Sequence, residues 1–354
     1  MTQQFEVVKS NFQAFQVQDT ESRTLAEGEV RVKIDFFAFT ANNLTYAVAG
    51  DMLGYWQFFP ASAENQGIIP VWGFADVVES SSADVEVGER IYGYLPPATE
   101  LILLPTNAKA DSWFDASAHR QSLPPLYNRY QRLSARAEDA RPREIGQALL
   151  GPLYMTGYLL YDYLKVNNYF GAEQVVILSA SSKTSIGLAY ALAQDETPPV
   201  VGLTSTGNQG FVEDLGYYQD VVAYDALDSL ATKPTVIVDM AGNAELVARL
   251  KTKLGEDLKY FVSVGLTHWD QQQADLAGGS DKETFFFAPS YMLERSAEDK
   301  DLPSRVQAFV GQGALASLEW LELKQLDGLD GLAAIYSDMC TGQVSPKLGV
   351  ICQM

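Results

Sequence analysis

Two cysteines and two histidines are all the thiol and imidazole ligands in 354 residues. Catalytic zinc takes about three protein ligands and structural zinc about four, mostly of these types. Neither Cys340 nor Cys352 has a C-x-x-C neighbour, so no metal site and no disulfide scaffold are expected. No run of about 18 apolar residues exists, which speaks against a membrane-spanning helix. The opening Met-Thr-Gln-Gln-Phe-Glu lacks the basic-then-apolar order of a signal peptide. Reduced thiols and no leader lead us to expect a cytoplasmic protein. Cations are scarce as well. Lys and Arg number 25 against 45 Asp and Glu, a net charge of −20. The modest basic cluster from Arg129 to Arg143 is interrupted by Glu138 and Asp139. Binding to a phosphate backbone needs clustered cations, so nucleic acid is not an expected partner. The negative charge fits two accounts, plain solubility or a saline habitat, and the sequence does not choose between them.

What is present suits a globular chain of two domains: 47% apolar residues with 20% charged. The first hundred residues read as short strands and turns. Val30 to Phe39 alternates strictly before becoming wholly apolar, and Val71 to Glu79 and Val87 to Gly93 are further strand signals. Many strands at this spacing predict a small barrel-like β domain. Residues 106–147 are polar and Arg-rich and read as an insertion or linker. From Gly151 onward helix and strand alternate, with strands at Val175, Val200, Asp220, Thr235 and Tyr260. That rhythm specifies a Rossmann-type, doubly wound parallel sheet. The expected boundaries are residues 1–125 with 291–354 for the β-rich catalytic or substrate domain, and 126–290 for the dinucleotide-binding domain.

The chain converges on Val175 to Gly187. A β-branched run, Val175 to Leu178, leads into a polar turn from Ser179 to Ser185, then an Ala- and Leu-rich helix. First-turn N–H groups lack intrahelical partners, and the helix dipole favours an anion there. The dinucleotide fingerprint G-x-G-x-x-G falls on Ser182-Lys-Thr-Ser-Ile-Gly187, where only Gly187 survives. Gly187 would serve close helix–strand packing, and Ser182 and Thr184 hydroxyls could donate to phosphate oxygens. An ordinary βα turn is the equal alternative.

Several passages resemble, in order, the medium-chain dehydrogenase/reductase superfamily, most nearly its quinone oxidoreductase and enoyl reductase branch. They are Glu27 to Lys33, Val85 to Gly93, Met155-Thr-Gly157, Val212 to Tyr224 and Gly342 to Gly349. The resemblance covers nearly the whole chain apart from residues 106–147. It implies a GroES-like catalytic domain beside the Rossmann domain, a small-molecule substrate and a homodimer. Zinc-dependent members carry Gly-His-Glu where this chain has Gly73-Phe-Ala75, so the resemblance points to a zinc-independent, divergent member.

Candidate site residues follow. NAD enzymes place a carboxylate after the second strand. Here Thr204, Ser205, Thr206 and Asn208 stand instead, which permits NADP (NADPH), with Lys183 as the counter-charge. The alternative makes Ser205, Thr206 and Asn208 simple turn formers. Ser179, Ser185, Gly242 and Gly265 complete the expected cofactor contacts. Thr156, at an expected helix start, resembles the carboxamide-contacting residue, with an N-cap as the alternative. Hydride transfer without metal needs a donor on the acceptor's carbonyl. Tyr55, Tyr46 and Asn43 occupy the loops where the branch carries its substrate-side residues. Packing is the other account for any one of 18 tyrosines. His119 reads as a surface residue, and His268 follows the fifth strand. The implied function is an NADPH-dependent reductase of a conjugated carbonyl, quinone or enoyl substrate. The competing expectation is a catalytically silent nucleotide-binding, redox-sensing or scaffold protein on the same fold.

Overall fold

Alternation in the first hundred residues and β-branched runs after residue 174 build two different kinds of sheet. The computed structural model describes residues 2–133, 140–240, 243–264, 282–342 and 344–354. They form two compact units, Met1–Leu149 with Ser317–Met354, and Leu150–Ala316.

In the first unit, β1 (Thr2–Val8), β2 (Asn11–Thr20) and β4 (Gln66–Gly67) make a small sheet ordered β2-β1-β4. The larger sheet is built on β3 (Val30–Phe39), which pairs antiparallel with β5 (Val71–Ser80). β3 buries Val30, Val32 and Ile34 and turns Lys33 outward, as its alternation predicts. Between them α1 (Ala41–Val48) crosses from strand to loop. Beyond β6 (Arg90–Leu95), β7 (Glu100–Leu103) and β8 (Pro105–Thr106), the sheet continues through β9 (Ser112–Asp115) and β10 (Arg129–Leu133). Residues 106–133 therefore extend the sheet. β10 lies between β6 and β9, with Tyr130 buried between the Arg-bearing positions of its sequence.

The second unit receives the long helix α2 (Arg141–Val166), followed by β11 (Gln174–Ile177), α3 (Lys183–Leu192), β12 (Val200–Thr204), α4 (Gln209–Asp214) and β13 (Asp220–Ala223). β14 (Thr235–Asp239), α5 (Ala244–Leu254), β15 (Leu258–Ser263) and β16 (Glu283–Phe285) complete the sheet. Its strands are all parallel, in the order β13-β12-β11-β14-β15-β16. The order reverses between β11 and β14, the switch point at which such sheets bind ligands. α6 (Ala288–Glu298) and α7 (Leu302–Ser317) follow, and the chain closes with β17 (Glu322–Asp327), α8 (Gly328–Thr341) and β18 (Leu348–Gln353) back in the first unit.

These boundaries differ from those expected at 125 and 290. Residues 126–149 belong with the β-rich unit because β10 joins its sheet and Glu144 and Arg141 are tied to it. Arg90 donates to both Glu144 oxygens at 2.7 and 2.8 Å, and Arg141 pairs with Asp35 at 2.8 Å. α6 and most of α7 pack instead with the parallel sheet, where Leu302 and Val306 join its core. Before β11, Asn168, Tyr169 and Phe170 take φ of 47°, 49° and 54°, ahead of Gly171 at 72°. Each non-glycine residue costs about 1–2 kcal/mol there. Phe170 is held by a parallel stack on Tyr260 with centroids 3.7 Å apart.

Gly157 and Gly187 let α2 and α3 cross at close range. A Cβ on Gly157 would lie 2.6 Å from the Leu188 nitrogen, and one on Gly187 would lie 3.2 Å from Tyr154 Cα. Gly187 thus serves helix–helix packing, correcting the expected helix–strand contact. Because backbone cannot swing aside, Gly157→Ala and Gly187→Val should each lower the unfolding free energy by about 1–3 kcal/mol. Gly210→Ala, whose Cβ meets nothing within 4 Å, should show no loss in the same denaturant titration.

Candidate functional site

The turn after β11 is fastened from several sides. Ser179 takes φ 51°, a left-handed conformation that costs a non-glycine residue energy. Its N–H donates to the Tyr224 hydroxyl at 3.2 Å. Ala180 N–H reaches Leu203 O at 2.9 Å and Ser182 N–H reaches Ser179 O at 2.7 Å. Ser182 is the N-cap of α3, its Oγ accepting from Ser185 N at 3.2 Å. Ser185 is fully buried, and its hydroxyl donates to Leu178 O at 3.0 Å. Ser182 and Ser185 therefore hold the turn itself. Lys183 and Thr184 lie half-buried on the first turn of α3. Burial pushes the Lys183 ammonium down to about 8.

The turn after β12 is tied to the first. Thr204 Oγ1 donates to Ser181 Oγ at 3.4 Å and Asn208 Nδ2 to the same oxygen at 3.1 Å. Ser205 caps a short 3-10 turn, Thr206–Asn208, and Thr206 donates to the Asp225 carboxylate. Ser181, Tyr224 and Asp225 were not among the expected site residues. Parallel register was the available signal, since it sets Thr204 beside Ala223 and so brings the residues after β13 level with this turn. Thr156 lies well inside α2, where its hydroxyl donates back to Pro152 O at 3.0 Å. The expected helix start at that position is thus corrected. Gly242, Gly265 and His268 lie outside the described residues.

In the β-rich unit a different cluster forms. Tyr46 on α1 and Tyr55, in a 3-10 turn entered through Gly54 at φ 74°, pack with centroids 4.7 Å apart. The Tyr55 hydroxyl lies 3.0 Å from that of Tyr127. Trp72 Nε1 donates to the Tyr46 hydroxyl at 3.2 Å, which leaves the Tyr46 O–H as that group's donor. Tyr94 and Phe58 close the cluster against Tyr127. Among the described residues the buried Tyr94 hydroxyl has no hydrogen-bond partner. Tyr127 comes from the segment read as an insertion. Asn43 is committed to the helix start: its Oδ1 accepts from Thr40 N at 2.7 Å and its amide donates to Pro70 O at 2.8 Å. His119 is exposed, as a surface residue would be, with its Nε2 3.2 Å from Phe58 O. Among the described residues no group of three or more His, Cys, Asp or Glu side chains is placed to hold a metal, and no helix is long and apolar enough to cross a membrane.

Burial dominates the chemistry of the phenols. It pushes Tyr46 up to about 12 and Tyr55, Tyr94 and Tyr127 upward as well. At neutral pH they are hydrogen-bond donors that do not release the proton.

The sequence matches, over residues 37–345, the family described as "Protein of unknown function (DUF2855)". No curated protein matches it. Solved structures that resemble the fold include CurA from Vibrio vulnificus in complex with NADPH, 14% identical, covering 99% of each chain at a TM-score of 0.64. The quinone oxidoreductase from Coxiella burnetii is 13% identical over 100% of this chain and 99% of its own, at 0.62. The JamJ enoyl reductase is 15% identical over the same shares, at 0.61. The fold is that of the medium-chain dehydrogenase/reductase proteins, with a Rossmann-type sheet and a GroES-like β-rich unit.

A phenol whose native pKa is raised stabilises the fold fully below the unfolded value near 10, and that contribution is lost as pH rises through the native value. Denaturation midpoints should therefore fall between about pH 10 and pH 12. Part of the tyrosinate absorbance should appear only on unfolding. Complete titration near pH 10 in the folded protein would contradict the burial of these groups.

Proposed function

The chain belongs to the family described as "Protein of unknown function (DUF2855)", and for this member we propose a zinc-independent, NADPH-dependent reductase of a conjugated carbonyl, quinone or enoyl substrate. The observation that carries it is the start of α3 at the carboxyl end of β11, on a parallel sheet whose order reverses beside it. A diphosphate would rest against the backbone N–H groups and Thr184 of the first turn of α3, with Lys183 as the counter-charge to the 2′-phosphate and the turns after β11 and β12 held together by Ser181, Thr204 and Asn208. The donor set fits: backbone N–H groups, hydroxyls and one lysine, with no carboxylate in the β12 turn from Ser205 to Gly210. The neighbour solved with NADPH, CurA, supports the same cofactor.

NADPH, when bound, supplies a hydride. The substrate's β-carbon would accept it while negative charge gathers on the carbonyl oxygen, and a proton from solvent completes the two-electron reduction. Tyr55 and Tyr46 are the donors we assign to that oxygen. Their raised pKa suits an oxyanion-holding role rather than general acid catalysis, which works best with a pKa near the working pH. Zinc independence rests on the scarcity of His and Cys. A homodimer acting in the cytoplasm on a small molecule belongs to the same reading.

A second reading has its own observation in favour: the Tyr55 hydroxyl is already paired with Tyr127, and Ser182 and Ser185 are spent on the turn. On that account the chain binds nucleotide without turnover. NADPH oxidation against a panel of quinones and enones separates the two. Turnover should occur, and Tyr55→Phe should lower it by roughly 10²- to 10³-fold. No turnover with any acceptor would leave the silent reading. Lys183→Ala should weaken NADPH more than NADH, because the 2′-phosphate is the extra negative charge; equal losses would remove Lys183 from that role.

A further inference from the structure

We propose that Asp225 limits this chain's preference for the 2′-phosphorylated dinucleotide. It does so by committing the Thr206 proton and by placing a negative charge beside the β12 turn. The inference deepens the dinucleotide reading above and rests on it.

From Ser205 to Gly210 the turn after β12 carries no charged side chain, which by itself favours neither cofactor. The parallel pairing of β12 with β13 changes that. Thr204 pairs with Ala223, so the chain leaving β13 runs level with the turn, and Asp225 comes within reach two residues later. Thr206 Oγ1 lies 3.2 Å from Asp225 Oδ1 and 3.1 Å from Oδ2. A carboxylate only accepts hydrogen bonds, and a threonine hydroxyl has a single proton to give. That proton therefore points at Asp225, and Thr206 offers only lone pairs to anything else. A ribose 2′-hydroxyl can donate to those lone pairs. A 2′-phosphate, itself an acceptor, meets no proton at Thr206 and faces a like charge.

Asn208 spends one of its two amide protons on Ser181, which leaves it a single side-chain N–H to offer. Lys183 acts in the opposite sense on the same cofactor. The balance between Lys183 and Asp225, supplied by two different strand ends, would then set the ratio of the two affinities. Such a carboxylate replaces the residue that NAD enzymes carry at the end of the second strand, but comes from the third. Thr206 and Asp225 are both exposed, so water and salt damp the effect to a modest one.

The test is direct binding of NADPH and NADH to the full chain, by calorimetry or by nucleotide fluorescence, at low and high salt. Asp225→Asn should tighten NADPH roughly fivefold to tenfold at low salt. NADH should be unchanged or weakened, and the NADPH gain should shrink at high salt. Asp225→Ala should act in the same direction, whereas Thr206→Val, which keeps the carboxylate, should not tighten NADPH. If wild type binds both cofactors and Asp225→Asn leaves their ratio unmoved, or shifts both alike, the role of Asp225 is refuted and the dinucleotide reading survives. If wild type binds neither, both fall together.

Discussion

A β-carbon on Gly157 would stand 2.6 Å from the Leu188 nitrogen and 2.7 Å from the Gly187 carbonyl carbon, so α2 and α3 meet backbone to backbone. That approach fixes α3 against its neighbour, and with it the place where the helix begins. The Ser182 cap and the Ser185 hydrogen bond to Leu178 O then fasten the same end to β11. Overpacked backbone contacts have no side chain to rearrange. The position of the anion-favouring helix end is therefore set by two glycines and two serines, none of which needs to touch a ligand.

The β-rich unit rests on a different constraint. Arg90, 3% exposed, is held by Glu144, Asp76 and Asp35. A buried cation is tolerable only when fully paired, and such pairs fix geometry more than they add stability. This cluster ties β6 to the start of α2, and so orders the sheet on which Trp72, Tyr92 and Tyr94 sit. Burial holds the phenols of Tyr46, Tyr55, Tyr94 and Tyr127 still further from ionisation than an exposed tyrosine. The cluster is thus a poor proton source at neutral pH.

The parallel sheet was legible because its strands are short β-branched runs separated by helices, a pattern with few alternatives. The β-rich unit was legible in kind from alternation. Elements whose local signal conflicts with their context were not. Thr156 resembles a residue at a helix start, yet α2 begins at Arg141 and carries Pro152 inside it. Gly328 and Gly331 weaken the helical signal of α8, although Leu329, Leu332, Ile335, Tyr336 and Met339 repeat at helical spacing and are buried. β10 was hidden by its arginines. Ser179, Lys183 and Thr204, expected as cofactor contacts, lie at the turns after β11 and β12, and Tyr55, expected as a substrate-side residue, packs in the tyrosine cluster. The sequence could not assign Asn43 and Ser185 to structure, because hydrogen-bond partners distant in space leave no mark on spacing. Ser181 and Tyr127 were missed for the same reason, and Asp225 because only the parallel pairing of β12 with β13 brings it level with the turn.

A crystal structure of the full chain grown with NADPH tests the central claim most directly. The account predicts the diphosphate seated against the first turn of α3, within hydrogen-bond reach of Thr184, with the 2′-phosphate beside Lys183 and the adenosine beside the turn after β12. A dinucleotide bound anywhere else, or a closed and empty first turn at saturating NADPH, would contradict it.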